Sequence, residues 1–259
     1  MQAKYAVTVM TNTLESKISI AQNEAGRYAL GIPNHRVANE FVTGELGWSS
    51  FRAREAQSKI RYFNRVKSMH DHRWPKAIYN MMDLLGVQTK ARQREIELRS
   101  DFQCNNIELS YTEQGVPLYG KFNREIKERI KEVETTRWQN SMSQKPSLSR
   151  YSTYATETGV RMNPYDNSRG SAPLALSRAG MLRTRHARRH FEPGLETTCV
   201  KCGMVPETLS HVIYECNDIY FEEEEILKRL GLDEEPSSAM TSYTKRLLQQ
   251  RERETQHIR

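Results

Sequence analysis

The chain has 259 residues, 37% of them hydrophobic and 27% charged, with a formal net charge of +7 and a pI of about 9.2. That length holds one large domain or two smaller ones, and three Trp, twelve Tyr and seven Phe exclude wholesale disorder. No window approaches the roughly 18–20 consecutive apolar residues of a membrane span, and the N-terminus lacks an apolar signal core; the reading is an intracellular protein, the nucleus included, with polyanionic partners and no membrane.

Taken in order, the chain reads as helices. Leu14, Ile18, Ala21, Ala25, Tyr28 and Ala29 recur at helical spacing. Gly31 and Pro33 stop that run, and Asn34 is placed to cap a short helix through Val37, Phe41 and Val42. After Gly44 and Gly47, Ser49 or Ser50 caps a helix with Phe51, Ala56, Ile60, Phe63 and Val66 on one side. Arg52, Arg54, Lys59, Arg61, Arg65 and Lys67 occupy the rest and are expected to form a basic outer face.

Trp74 and Pro75 open another helix that runs through Ile78, Met81, Met82, Leu84 and Leu85 to Gly86, with Trp74 expected in the core. Residues 101–119 lack a period and read as a connection. Phe122, Ile126, Ile130, Val133 and Trp138 give the next helical stripe. Residues 144–170 are rich in Ser, Thr, Tyr, Pro and Gly and are expected to be a loop-rich linker in which Tyr151 and Tyr154 are candidates to pack. Residues 171–190 read as one helix, and charged helices or a tail follow the cysteines. The expected fold class is mainly α. It divides into a helical region 1–143, the linker 144–170, a basic helix with a metal module over 171–220, and the segment 221–259.

Cys199, Cys202, His211 and Cys216 form a C-x2-C-x8-H-x4-C cluster that holds three of the four cysteines. Three thiols and an imidazole are a tetrahedral set for zinc. Four protein donors leave no open position for a water, so the ion reads as structural. Gly203 permits the tight turn after Cys202, and a short helix beginning near Pro206 carries His211 toward Cys216. Five residues rotate about 140° on an ideal helix, so Cys216 must lie where that helix frays or turns. Leu209, Val212, Ile213 and Tyr214 are expected to cover the ion. His186 and His190 have metal-compatible spacing, but the arginines around them disfavour a second cation.

Just ahead of the cluster lie Arg178, Arg183, Arg185, Arg188 and Arg189. Their guanidinium forks match phosphate geometry. Together with Arg73 and the basic residues of 52–67 they are the candidate nucleic-acid contacts.

The runs LGIPNHRVANEFVTGELGWSSFRAREAQSKIRYFNRVKSM and HDHRWPKAIYNMM resemble the region that follows the polymerase core in non-LTR (LINE-type) retrotransposon reverse transcriptases. RWQNSMSQKPSLSRY carries the pattern Trp138, Lys145, Leu148, Tyr151 of that family. GSAPLALSRAGMLRTR, the C-x2-C-G turn and ETLSHVIYEC resemble its C-terminal end, nearest to the tick transposon group. The resemblance spans residues 14–220. It implies thumb-like helices that hold a template–primer duplex, then a zinc-bearing element that binds nucleic acid, the partners being template RNA and a target DNA duplex. The family's polymerase site needs an Asp-Asp pair, which this sequence lacks.

The expectation is therefore a non-catalytic, nucleic-acid-binding C-terminal fragment of such a polyprotein, with structural Zn2+. The alternative is a zinc-stabilised protein-interaction module, a domesticated or decayed transposon remnant without nucleic-acid binding. The acidic run Glu222 to Glu225, which repels phosphate, favours that alternative.

Overall fold

The computed structural model describes residues 12–33, 37–87, 89–159, 164–166, 168–216, 229–231 and 238–257. Helices α1 (Asn12–Ala29), α2 (Asn39–Leu46), α3 (Phe51–Lys67), α4 (Trp74–Leu84), α5 (Lys90–Asp101) and α6 (Tyr119–Ser143) come first. A 3-10 turn (Pro146–Leu148), α7 (Ser149–Tyr154), α8 (Ser171–Arg178), α9 (Arg185–Arg188), a π turn (His211–Glu215) and α10 (Ser238–His257) follow. Among the described residues β pairing is confined to two isolated bridges, Tyr111 with Pro117 and Thr198 with Pro206. The fold is mainly α. Asn34, the side chains of Leu14 and Tyr214, and the run Glu222 to Glu225 lie outside the described residues.

Two units partition the chain. The first comprises Met1–Ala21 and Ser49–Trp138, the second Gln22–Trp48 and Gln139–Arg259. In the first, the Ser50 hydroxyl accepts from the Ala53 N–H (3.1 Å) and starts α3. Ala53, Ala56 and Ile60 of α3 then pack with Leu98 of α5, Phe102, Cys104 and Phe122, Ile126 and Ile130 of α6. This single apolar seam is the core of the unit.

Beside the seam runs a chain of ion pairs. Glu55 takes Lys59 at 2.7 Å and Arg94 at 2.8 Å, all three side chains nearly excluded from solvent. Arg94 also holds Glu97 (2.8 Å), and Arg52 reaches Glu97 (3.2 Å) and Asp101 (2.7 Å). Arg137 of α6 closes on Asp101 at 2.9 Å. Burial pushes the Glu55 carboxyl upward, but hydrogen bonds from Arg94 and Lys59 outweigh it and hold it below its ordinary value.

In the second unit two residues of the expected linker pack inside. Leu148 and Tyr151 are buried, and Tyr151 meets the Phe41 ring edge-on at 5.0 Å. The Gly159 N–H donates to the Gly44 carbonyl, and the Ser141 hydroxyl to Glu40 (2.6 Å). These bonds explain why residues 22–48 join the C-terminal half. The stretch 171–190 is two helices instead of one. Gly180, at φ 66°, ends α8 where a Cβ would sit 2.2 Å from the Ser147 carbonyl oxygen, so the chain turns away there. Near the carboxyl end, α10 lies against α8 and buries Thr241, Thr244 and Leu248.

Replacing Glu55 by Gln leaves Lys59 buried without its anion and Arg94 with Glu97 alone, and should cost about 3–5 kcal/mol in denaturant unfolding. The folded carboxyl is held below its unfolded value, so its stabilisation is present above the usual carboxylate range and disappears as pH falls through it. Wild-type chain should lose stability over that acid range by more than Glu55→Gln does. Equal acid sensitivity of the two would contradict this role.

Candidate metal centre

The Cys199–Cys202 loop is shaped by its own backbone. The Cys199 N–H donates to the Val205 carbonyl (2.8 Å) and the Gly203 N–H to the Cys199 carbonyl (2.9 Å). Gly203 sits at φ 66°, the left-handed angle expected from the sequence. Across from the loop, the Thr208 hydroxyl accepts from the His211 N–H (3.1 Å) and starts the segment that carries His211 and Cys216.

Between them the chain is a π turn, closed by the Cys216 N–H on the His211 carbonyl at 2.9 Å. An i→i+5 bond stacks the sixth residue over the first. The five-residue step that splays two side chains on an α-helix therefore returns both to one side. This wide turn brings His211 and Cys216 to the same side.

The four donor atoms all lie within 4.8 Å of one another. Cys199 Sγ is 3.5 Å from Cys216 Sγ, and Cys202 Sγ is 3.3 Å from His211 Nε2. Those lengths are too long for a disulfide, about 2.05 Å. They are close to the ~3.8 Å edge of a tetrahedron with metal–sulfur bonds of about 2.3 Å. Three thiolates and an imidazole at this spacing repel without a cation between them. Burial, together with its neighbours Cys199 and Cys202, pushes the Cys216 thiol up to about 12. Backbone N–H groups of Met204 and Val205 point at Cys202 and lower its value. A divalent ion at the centre replaces that mutual repulsion by attraction and deprotonates the thiols. The donor set therefore fits a metal ion and is compatible with zinc. His211 and Cys199 are buried, and Val212 and Ile213 beside them belong to the core.

Since Nε2 faces the sulfurs, His211 Nδ1 points away. It is buried and has no hydrogen-bond partner among the described residues, and a carboxylate oxygen of Glu215 stands 3.7 Å off. A small rotation of Glu215 completes the carboxylate–imidazole pair that orients metal-bound histidines.

Glu207 ties the arginine segment to this module. Its buried carboxylate accepts from the Arg185 N–H (2.8 Å) and pairs with Arg251 of α10. The Glu207 N–H donates to the Thr197 carbonyl. Arg185 Nη1 reaches the Thr198 carbonyl (3.3 Å), and Arg229 reaches the Ile213 carbonyl (3.3 Å). Nothing in the sequence pattern singles out Glu207; its partners are remote along the chain.

Several of the phosphate contacts expected from the sequence are committed internally. Arg178 is buried, paired with Glu45 at 2.8 Å and bonded to the Leu230 carbonyl, while Tyr165 donates to the same Glu45. It presents no charge to a partner, because α8 faces the interior on every side. Lys59 is buried on Glu55, and Arg52 lies on Glu97 and Asp101, so the expected basic face of α3 partly turns inward. Arg61 donates to the Asn123 carbonyl (2.9 Å), Arg54 to the Ser49 carbonyl (2.7 Å), and Arg188 grips Glu192 with two nitrogens. Arg183 and Arg189 in the second unit, and Arg65, Lys67 and Arg73 in the first, are exposed. Among the described residues no partner engages those five side chains. His186 and His190 join no metal-capable cluster among the described residues. No helix among them is long and apolar enough to cross a membrane.

Comparison with protein-family models, with curated proteins and with solved structures finds no match. The chemistry of the site alone bears on function.

Glu215→Gln should weaken divalent-metal affinity by about 10–100-fold in a competition titration against a chromophoric chelator. Unchanged affinity would assign Glu215 no part in orienting His211.

Proposed function

We propose that this chain is the non-catalytic, nucleic-acid-binding C-terminal region of a LINE-type reverse transcriptase polypeptide, organised around a structural zinc ion. The observation that carries the reading is the convergence of Cys199, Cys202, His211 and Cys216 within 4.8 Å, next to an arginine segment bonded to the same module through Glu207. Zinc suits three thiolates and one imidazole in a tetrahedral set with all four positions filled by protein. An ion so enclosed orders its surroundings and activates no water. The absent Asp-Asp pair supports a binding role over a polymerase one.

Arg183 and Arg189 then supply phosphate contacts from an ordered backbone, and Arg65, Lys67 and Arg73 a second cationic strip on the thumb-like helices. Arginine on phosphate positions a nucleic acid without reading its sequence. Template RNA and target duplex are the ligands that the family resemblance suggests.

Fluorescence anisotropy with labelled duplex DNA and with single-stranded RNA tests this. Binding should weaken steeply as salt rises. Arg183→Ala with Arg189→Ala should bind duplex more weakly, with the salt slope reduced by about 0.9 for each phosphate that is no longer neutralised. Arg185 and Arg188 are poor choices for the test, since their bonds hold the segment together. Salt-independent binding, or full binding by the double variant, would sink the proposal.

A further inference from the structure

α4 is built with its polarity reversed. At 100° per residue, Trp74, Ile78, Met81 and Leu85 fall within an arc of about 60°. The charged residues of the helix, Lys76 and Asp83, lie on the opposite side. That polar side is the one turned to the rest of the unit. Lys76 donates to the Lys67 carbonyl at the end of α3, Asp83 pairs with Arg92 of α5 at 2.7 Å, and Arg92 lies over the Tyr79 ring. The apolar side faces out. Trp74 is 80% exposed, Leu84 89% and Leu85 69%, with Ile78, Met81 and Val87 about half exposed, and no residue of the helix is buried.

The four residues of the arc, Trp74, Ile78, Met81 and Leu85, together expose on the order of 500 Å². Monomeric proteins leave bare a largest apolar patch of roughly 300–600 Å², and each partner in a stable complex covers ~800 Å². The apolar arc holds no cation for a phosphate, which argues against nucleic acid as its occupant.

The spacing of the arc says what does fit. Trp74, Ile78, Met81 and Leu85 are separated by four, three and four residues, a series that reads the same from either end. A helix with that property is complementary to its own antiparallel copy. A two-fold axis between Tyr79 and Asn80 places Trp74 against the partner's Leu85 and Ile78 against the partner's Met81, the reciprocal pairing that an isologous interface requires. The 4-3-4 steps are those of a coiled-coil seam, so the two rows interlock at a shallow crossing angle. We infer that the apolar face of α4 is a homodimer interface, occupied by α4 of a second copy of this chain. The inference is independent of the metal and of nucleic-acid binding.

Sedimentation equilibrium of the full chain over a wide concentration range tests it with two variants, Ile78→Glu and Met81→Lys. Both positions face solvent in the single chain, so each variant should retain wild-type helicity and metal content. Wild type should form dimers. Each variant alone buries unpaired charge at the seam and should raise the dimer dissociation constant by about tenfold or more. Mixed together, the two place Glu opposite Lys and should recover a heterodimer. A wild-type chain that stays monomeric overturns the inference, and so does a dimer that survives either substitution. Failure of the mixture to reassociate overturns the antiparallel register. A wild-type chain that stays monomeric, together with loss of nucleic-acid binding by Ile78→Glu, would assign the face to nucleic acid instead.

Discussion

Three sulfurs and one imidazole nitrogen within 4.8 Å impose the constraint on which the C-terminal architecture depends. The polypeptide between Cys199 and Cys216 has little hydrocarbon to bury. Its order comes from loop hydrogen bonds, from a π turn and from whatever cation neutralises the thiolates. Structural zinc binding contributes roughly 10–16 kcal/mol in small modules, far more than the few apolar side chains here provide. The consequence reaches beyond the loop. Glu207 is held by that module and in turn holds Arg185 and Arg251, so loosening the ligands loosens the arginine segment and the carboxyl-terminal helix together.

A second constraint is the internal use of charge. A net charge of +7 invites the reading that its arginines face outward. Many do not. Arg94 and Lys59 meet at Glu55, and Arg178 meets Glu45, each inside a helical unit. Such pairs add little net stability over apolar packing, yet they are costly to break singly, because the remaining ion stays buried. They fix register between helices whose apolar seams are short. Of the candidate phosphate contacts, those left exposed, Arg65, Lys67, Arg73, Arg183 and Arg189, lie on separate elements.

How much of this is legible in the sequence follows from which interactions are local. The Ser50 cap and the apolar stripes of α3 and α6 are readable, because capping and helical periodicity are encoded within a few residues. The ligand set is readable from spacing alone. α5 is not: Leu98 is its main core residue, and its other buried side chains are Arg94 and Glu95, whose partners are remote or polar. Gly180 is itself a local stop signal, but the Ser147 carbonyl that leaves no room for a Cβ there lies thirty-odd residues away. The size and apolar character of Trp74 point it toward a core, yet the polar side of α4 is the inward one. The π turn is half legible. An α-helix separates His211 from Cys216, so a departure from it is required, but only the backbone shows its form.

Native mass spectrometry of the full chain, purified without chelator, tests the metal-centred account most directly. The account predicts one zinc ion per chain, with Cys199, Cys202 and Cys216 protected from alkylation until the ion is stripped. A folded chain that carries no ion when zinc is supplied, with those three thiols reacting freely, would contradict it.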